Sequence, residues 1–314
     1  MTTGVSTLNV QTAGVFPVAV TPFQPDGQVD EGSIDKLVDF YARCGVSGMT
    51  ILGILGEAPK LEFAESVAVI RRFVRRAGRL PVIAGVSSPG FAAMRALSNA
   101  ALDAGAAGVM IAPPGTLRTD EQIVGYYRQA IEAIGGEVPF VLQDHPLAVG
   151  VQMSPQVIRR IVQELPSCVM LKHEDWPGLD KLVALRNFEQ EGSMRRLSIL
   201  CGNGGLFLDF ELSRGADGAM TGYAFPDMLV ELCALHKAGK RDAAQDLFDL
   251  HLPLLRYEHQ SGVGLAVRKY VLMRRAAIAC DVQRKPASQL SAATRAEVDF
   301  LLQRLAARDS RYRV

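Results

Sequence analysis

The 314-residue sequence predicts an α/β protein, a single (β/α)8 TIM barrel with a C-terminal helical extension. Three observations carry that expectation. Eight short apolar, β-branched runs recur at intervals of roughly thirty residues, the length of a βαβ unit. Each run is near-continuously apolar rather than alternating, as strands of a parallel sheet covered on both faces are. The seven intervals between them hold stretches of helical periodicity, and beyond about residue 225 the strand signal stops and only helical spacing remains.

The runs fall at 15–20, 48–52, 81–86, 108–112, 139–143, 168–172, 197–201 and 218–221, with helical stretches such as 33–44, 64–77, 91–104, 121–134 and 155–164 between them. Ser154-Pro155 reads as an N-cap with proline at the first helical position, and Gly105, Gly135 and Gly215 stand where helices should stop. Residues 1–225 are expected to form the barrel and 226–314 to form helices packed on it. An open doubly wound sheet is the alternative architecture, but its phosphate-binding G-x-G-x-x-G after the first strand is absent.

Hydrophobic residues make up 48% of the chain and charged residues 21%, the balance of a soluble globular protein with a sizeable core. A net charge of +1 gives no global pull toward nucleic acid or an anionic membrane. The five cysteines, odd in number and without a C-x-x-C pair, read as reduced, mostly buried thiols. Residues 1–13 lack the basic start and apolar stretch of a secretory signal, and no run of eighteen apolar residues occurs, so a cytoplasmic location is expected.

Active sites of such barrels lie at the carboxyl ends of the strands. Lys172 ends the sixth run, where an ammonium is costly to bury unless it is paired or neutral. It is either a carbonyl nucleophile or a lysine that merely reaches solvent. Glu174, two residues on, shares its face, whereas His173 should point to the helices. An amine beside a carboxylate suits imine formation followed by proton transfer. Gln143 ends the fifth run and should lie beside Lys172, with a structural or a ligand-binding hydrogen bond to make. Asp144 and His145 follow it, but no clustered ligand spacing supports a metal site. The turn Gly53-Ile54-Leu55-Gly56-Glu57 leaves backbone N–H groups exposed, which suits a small anion.

With these stretches in order, the chain resembles the dihydrodipicolinate synthase and N-acetylneuraminate lyase family of class I Schiff-base aldolases and dehydratases. The resemblance runs from Gly14-Val15-Phe16-Pro17 and Thr21-Pro22-Phe23, through the Gly53–Glu57 turn and Pro81-Val82-Ile83-Ala84-Gly85, to the lysine strand. It implies a Schiff base on Lys172 with no external cofactor, and a 2-oxo acid carboxylate held by the Ile54–Glu57 turn. It also implies a homo-oligomer, dimer or tetramer. Departures from the family pattern narrow the chemistry. Ile54 and Leu55 replace two hydroxyl residues, Gln143 replaces a catalytic tyrosine, and Ala148 replaces the arginine of dihydrodipicolinate synthases. An amide can orient a group but cannot shuttle a proton.

Gln143-Asp144-x-Pro146, Lys172-x-Glu174, Gly218-Ala219-Met220-Thr221-Gly222 and Glu258-x-Gln260-Ser261-Gly262 resemble the 2-keto-3-deoxy-L-arabonate dehydratase branch, although the second-strand turn differs. That likeness implies catalysis by Lys172, Glu174 and Gln143. It adds Asp144, Thr221 and Gly222 to the Gly53, Ile54, Leu55, Gly56 and Glu57 turn as substrate contacts. The expected activity is dehydration of a 2-keto-3-deoxy sugar acid. The alternatives are a pyruvate-dependent aldolase or dihydrodipicolinate synthase-like enzyme and, in another class, a non-catalytic 2-oxo acid-binding protein. Arg268, Lys269 and the rest of the tail either sit near the site or only pack subunits together, and a solvated or structural role is the expectation.

Overall fold

A computed structural model describes residues 7–176 and 178–314, so the first six residues of the polar N-terminal segment lie outside the described residues. Eight parallel strands form one sheet: β1 (Gly14–Val15), β2 (Met49–Ile51), β3 (Val82–Gly85), β4 (Gly108–Ile111), β5 (Phe140–Asp144), β6 (Cys168–His173), β7 (Ser198–Cys201) and β8 (Gly218–Ala219). Their order is β1-β8-β7-β6-β5-β4-β3-β2. A parallel bridge from Val18 to Thr50, just beyond β1, closes the ring onto β2. All eight expected runs are therefore staves of a (β/α)8 barrel.

The helices on the outside are α1 (Glu31–Arg43), α2 (Phe63–Ala77), α3 (Phe91–Asp103), α4 (Asp120–Ile134), the short α5 (Pro146–Val149), α6 (Pro155–Glu164), α7 (Leu179–Gln190), α8 (Leu208–Ser213) and α9 (Pro226–Lys237). They stop and start for local reasons. The Ser154 hydroxyl accepts the Val157 N–H at 3.2 Å at the head of α6, where Pro155 has no N–H to satisfy. Gly105, Gly135 and Gly215 adopt φ of 94°, 109° and 92°, the left-handed turn that ends the preceding helix. Three further helices follow: α10 (Arg241–Glu258), α11 (Gly264–Arg274) and α12 (Ala292–Arg308). Among the described residues no helix is long and apolar enough to cross a membrane.

Two apolar cores result from the period-2 alternation of the strands. Phe16, Val18, Ile83, Val141, Met170 and Leu200 fill the barrel interior, while Ile51, Leu142, Leu171 and Ile199 face the helices. Along β6, Met170 points in, Leu171 out and Lys172 in, so the lysine sits directly above the packed interior.

Candidate active site

Lys172 and Glu174 are both 5% exposed, and the Lys172 Nζ lies 3.0 Å from Glu174 Oε2. The expected same-face placement is thus present. β5 and β6 pair in register with Gln143 opposite Lys172. Gln143 Nε2 donates to the same Glu174 Oε2 at 2.8 Å. His145 Nδ1 stands 3.6 Å from that oxygen. Oε1, in contrast, has no hydrogen-bond partner among the described residues. The carboxylate is held by one oxygen and has the other to work with.

Burial alone would push the Glu174 carboxyl up, but Lys172, His145 and the Gln143 amide more than offset that, holding it below the ordinary glutamate value. His145 is moved the other way by the same burial, which outweighs Glu174 and leaves the imidazole below its ordinary value. At neutral pH the pair is therefore an ionised carboxylate beside a neutral imidazole.

Lys172, Glu174 and His145 line a cavity of about 110 Å³ at the carboxyl end of the barrel, whereas Gln143 supports Glu174 without lining it. Ile54, Leu55, Thr221 and Gly222 complete its wall on the side of β1, β2 and β8, and Asn203 and Gly204 close it after β7. His259, at the end of α10, and Arg268, on α11, reach in from the tail.

The turn after β2 is a 3-10 helix, Ile54–Gly56, pinned by the Thr21 hydroxyl donating to the Gly56 carbonyl at 2.6 Å. The Gly56 and Glu57 amides donate to the Gly53 and Ile54 carbonyls. The Gly53, Ile54 and Leu55 amides stand without an acceptor among the described residues. Glu57 adopts the left-handed conformation at φ 55°, which turns its side chain away from the cavity. There it meets Lys269 Nζ at 2.6 Å and Lys60 Nζ at 2.8 Å, and its Oε2 accepts the Arg284 amide at 3.1 Å.

Asp144 does not reach the cavity either. The alternation that sends Gln143 inward sends Asp144 outward, where Lys181 Nζ pairs with it at 2.8 Å and His173 Nδ1 lies 3.8 Å away. His173 Nε2 meets the Gly178 carbonyl at 3.0 Å, and Lys181 also pairs with Asp175 at 2.8 Å. This buried ionic cluster clamps the start of the loop after β6. It supports Lys172 and Glu174 from behind, and the substrate contact expected of Asp144 is replaced by that anchoring position.

Arg268 and Lys269 are both buried, at 5% and 0% exposure, so the solvated alternative falls away: Arg268 lies near the site and Lys269 takes a structural place. Arg268 pairs with Glu258, within the Glu258-x-Gln260-Ser261-Gly262 stretch that carries part of the branch resemblance, so a local signal lay beside it. For Lys269, no spacing connects a helix in the tail to a turn more than two hundred residues earlier.

A model of the dihydrodipicolinate synthetase family matches residues 11–305. The chain belongs to that family. Its members are lyases, which accords with a strand-end lysine beside a carboxylate. Among its relatives is the L-2-keto-3-deoxyarabonate dehydratase of Azospirillum brasilense, 32% identical over 301 residues, covering 93% of this chain and 94% of that one. The 4-hydroxy-tetrahydrodipicolinate synthase of Sorangium cellulosum is 36% identical over 211 residues, 67% of this chain and 68% of the relative. A crystal structure of a dihydrodipicolinate synthase from Rhodopseudomonas palustris superposes with a TM-score of 0.94 at 63% identity, over 95% of this chain and 99% of that one.

Proposed function

We propose that the protein is a Schiff-base hydro-lyase that dehydrates a 2-keto-3-deoxy sugar acid, of the L-2-keto-3-deoxyarabonate kind, without an external cofactor. The observation that carries this reading is the 3.0 Å pair of Lys172 Nζ and Glu174 Oε2, with Gln143 at the position of the missing tyrosine. Lys172 condenses with the C2 carbonyl, losing water to form an iminium ion. The cation acidifies C3, and Glu174 takes a C3 proton. The enamine electrons then expel the C4 hydroxyl, which leaves as water with the proton returned by Glu174. Hydrolysis of the unsaturated iminium frees Lys172. The family resemblance further suggests a homo-oligomer working in the cytoplasm.

A synthase reading is favoured by one observation, the 63% identity to the Rhodopseudomonas palustris protein. Against it stand Gln143, which cannot take a proton from a hydroxyl, and Ala148 in place of an arginine for a second carboxylate. An assay of 2-keto-3-deoxy pentonates and hexonates, beside one for 4-hydroxy-tetrahydrodipicolinate formation, separates the two. Water loss from a deoxy acid is expected. Efficient synthesis of the dipicolinate precursor without dehydration would overturn the proposal, and adduct formation without any turnover would favour a binding protein.

Two further results are expected. Because Lys172, His145 and the Gln143 amide hold the Glu174 carboxyl below its ordinary value against burial, the acid limb of kcat, which reports groups after the substrate is bound, should lie below the ordinary glutamate range. An acid limb of kcat at or above the ordinary glutamate range would mean a different base. Gly202 faces the carboxylate so closely that a Cβ there would lie 2.3 Å from Glu174 Cγ and 2.5 Å from Oε1. Gly202→Ala should displace Glu174 and cost about 10² in kcat while the fold persists. Near-normal turnover in a folded G202A protein would show that this position of Glu174 is not required.

A further inference from the structure

Imine formation at Lys172, on which this inference rests, leaves open what holds the carboxylate of the 2-oxo acid. The turn after β2 carries Ile54 and Leu55 in place of hydroxyl residues and offers only backbone amides, with no formal charge. A carboxylate drawn from water into a cavity of about 110 Å³ loses its hydration and is best compensated by charge-assisted hydrogen bonds.

Arg268 stands beside that turn. Its Nε donates to Glu258 Oε1, and among the described residues no acceptor takes Nη1 or Nη2. A Cβ on Gly222 would lie 3.1 Å from Arg268 Nη1, 3.2 Å from its Cζ and 2.3 Å from Leu55 Cδ1. The absence of a side chain at Gly222 is therefore what lets the guanidinium and the Leu55 side chain lie together over the end of β8.

The fork is also fixed. Glu258 is fully buried and accepts the Ala224 amide at 3.3 Å as well as Arg268. The next residue on α11, Lys269, spends all three of its N–H donors on Thr21 O at 2.8 Å, Glu57 Oε1 at 2.6 Å and Val282 O at 2.8 Å. Lys269 thus ties α11 to the two segments that carry the turn. One of the two neighbouring cations is consumed by the protein, and the other presents unused donors to the cavity.

We propose that Arg268 binds the substrate carboxylate through Nη1 and Nη2, supplying the donors that the hydroxyl-free turn lacks. A planar fork matches a carboxylate in a way that a lone ammonium does not. With the carboxylate there, C2 lies toward Lys172 and C3 toward Glu174, since all three side chains line one small cavity.

The test compares pyruvate with its neutral amide, pyruvamide, in borohydride trapping over a range of ligand concentrations. Arg268→Met is made together with Glu258→Gln, so that no buried carboxylate is left unpaired, and Glu258→Gln alone is the control. In the double variant the pyruvate concentration for half-maximal trapping should rise at least about thirtyfold over the control, the scale of losing one partner of a buried charge pair. Trapping with pyruvamide should hardly change, and Arg268→Lys should recover part of the pyruvate preference. A merely structural Arg268 would shift both ligands alike, and that result, or no shift for pyruvate, overturns the assignment. Should the double variant fail to fold, Arg268→Lys in the otherwise unchanged protein, which keeps the charge opposite Glu258 but loses the planar fork, must raise the pyruvate requirement while leaving pyruvamide unchanged. Parent protein that forms no adduct at all overturns the Schiff-base reading itself, whereas equal trapping of the two ligands by the parent overturns only the role of Arg268.

Discussion

Lys172→Ala is expected to abolish turnover to the uncatalysed background and to remove every borohydride-dependent mass increment with a 2-oxo acid, because the imine is the entry to each route. The fold should survive. Lys172 sits on top of the packed interior rather than within it, and Gln143 still donates to Glu174 in its absence. The lysine is also a main influence holding the Glu174 carboxyl low, so its removal should raise that group's pKa as well. Peptide mapping of the parent adduct gives the decisive readout. An increment that persists in K172A, or that maps to Lys60 or Lys269, would remove the central claim. Lys269 is a poor rival on geometry, because Glu57 and two carbonyls occupy all its donors.

The second large effect is expected of Glu174→Gln. General acid–base catalysis of this kind is typically worth about 10²–10⁴ in rate, and dehydration should fall by that order. The amide keeps the size of the side chain, and Lys172 and the Ile54–Leu55 turn are untouched. The variant should therefore still be trapped by borohydride with pyruvate while it is nearly inactive as a dehydratase. That separation of adduct from turnover distinguishes a lost proton carrier from a damaged site. Turnover close to wild type would move the role to His145, whose Nδ1 is 3.6 Å from the same carboxylate and whose neutral imidazole can accept a proton.

The barrel and its central trio were legible in the sequence because both rest on short-range rules. Apolar runs separated by helical periods predict parallel staves, and eight of them were found where expected. Period-2 alternation placed Lys172 and Glu174 on one face and His173 on the other. In-register pairing of neighbouring parallel strands then brought Gln143 beside Lys172. The same alternation, applied one residue further, would also have sent Asp144 outward. That residue was misplaced by reading it as part of a motif instead of as part of a strand.

Other features depended on contacts between distant segments, which no local pattern encodes. The left-handed backbone at Glu57 decides that its carboxylate leaves the cavity, and a buried Lys269 more than two hundred residues later is what receives it. Arg268 and Lys269 are neighbours on one helix, yet α11 delivers one into the cavity and the other behind the turn. Helical spacing gives the angle between two such residues but not the surface each will meet. The sequence by itself thus determined the barrel, the family and the lysine–glutamate pair, all set by periods of two to thirty residues. Only the tertiary structure decided how the tail closes the site, because that follows from packing a helix of the last third of the chain against strand ends of the first.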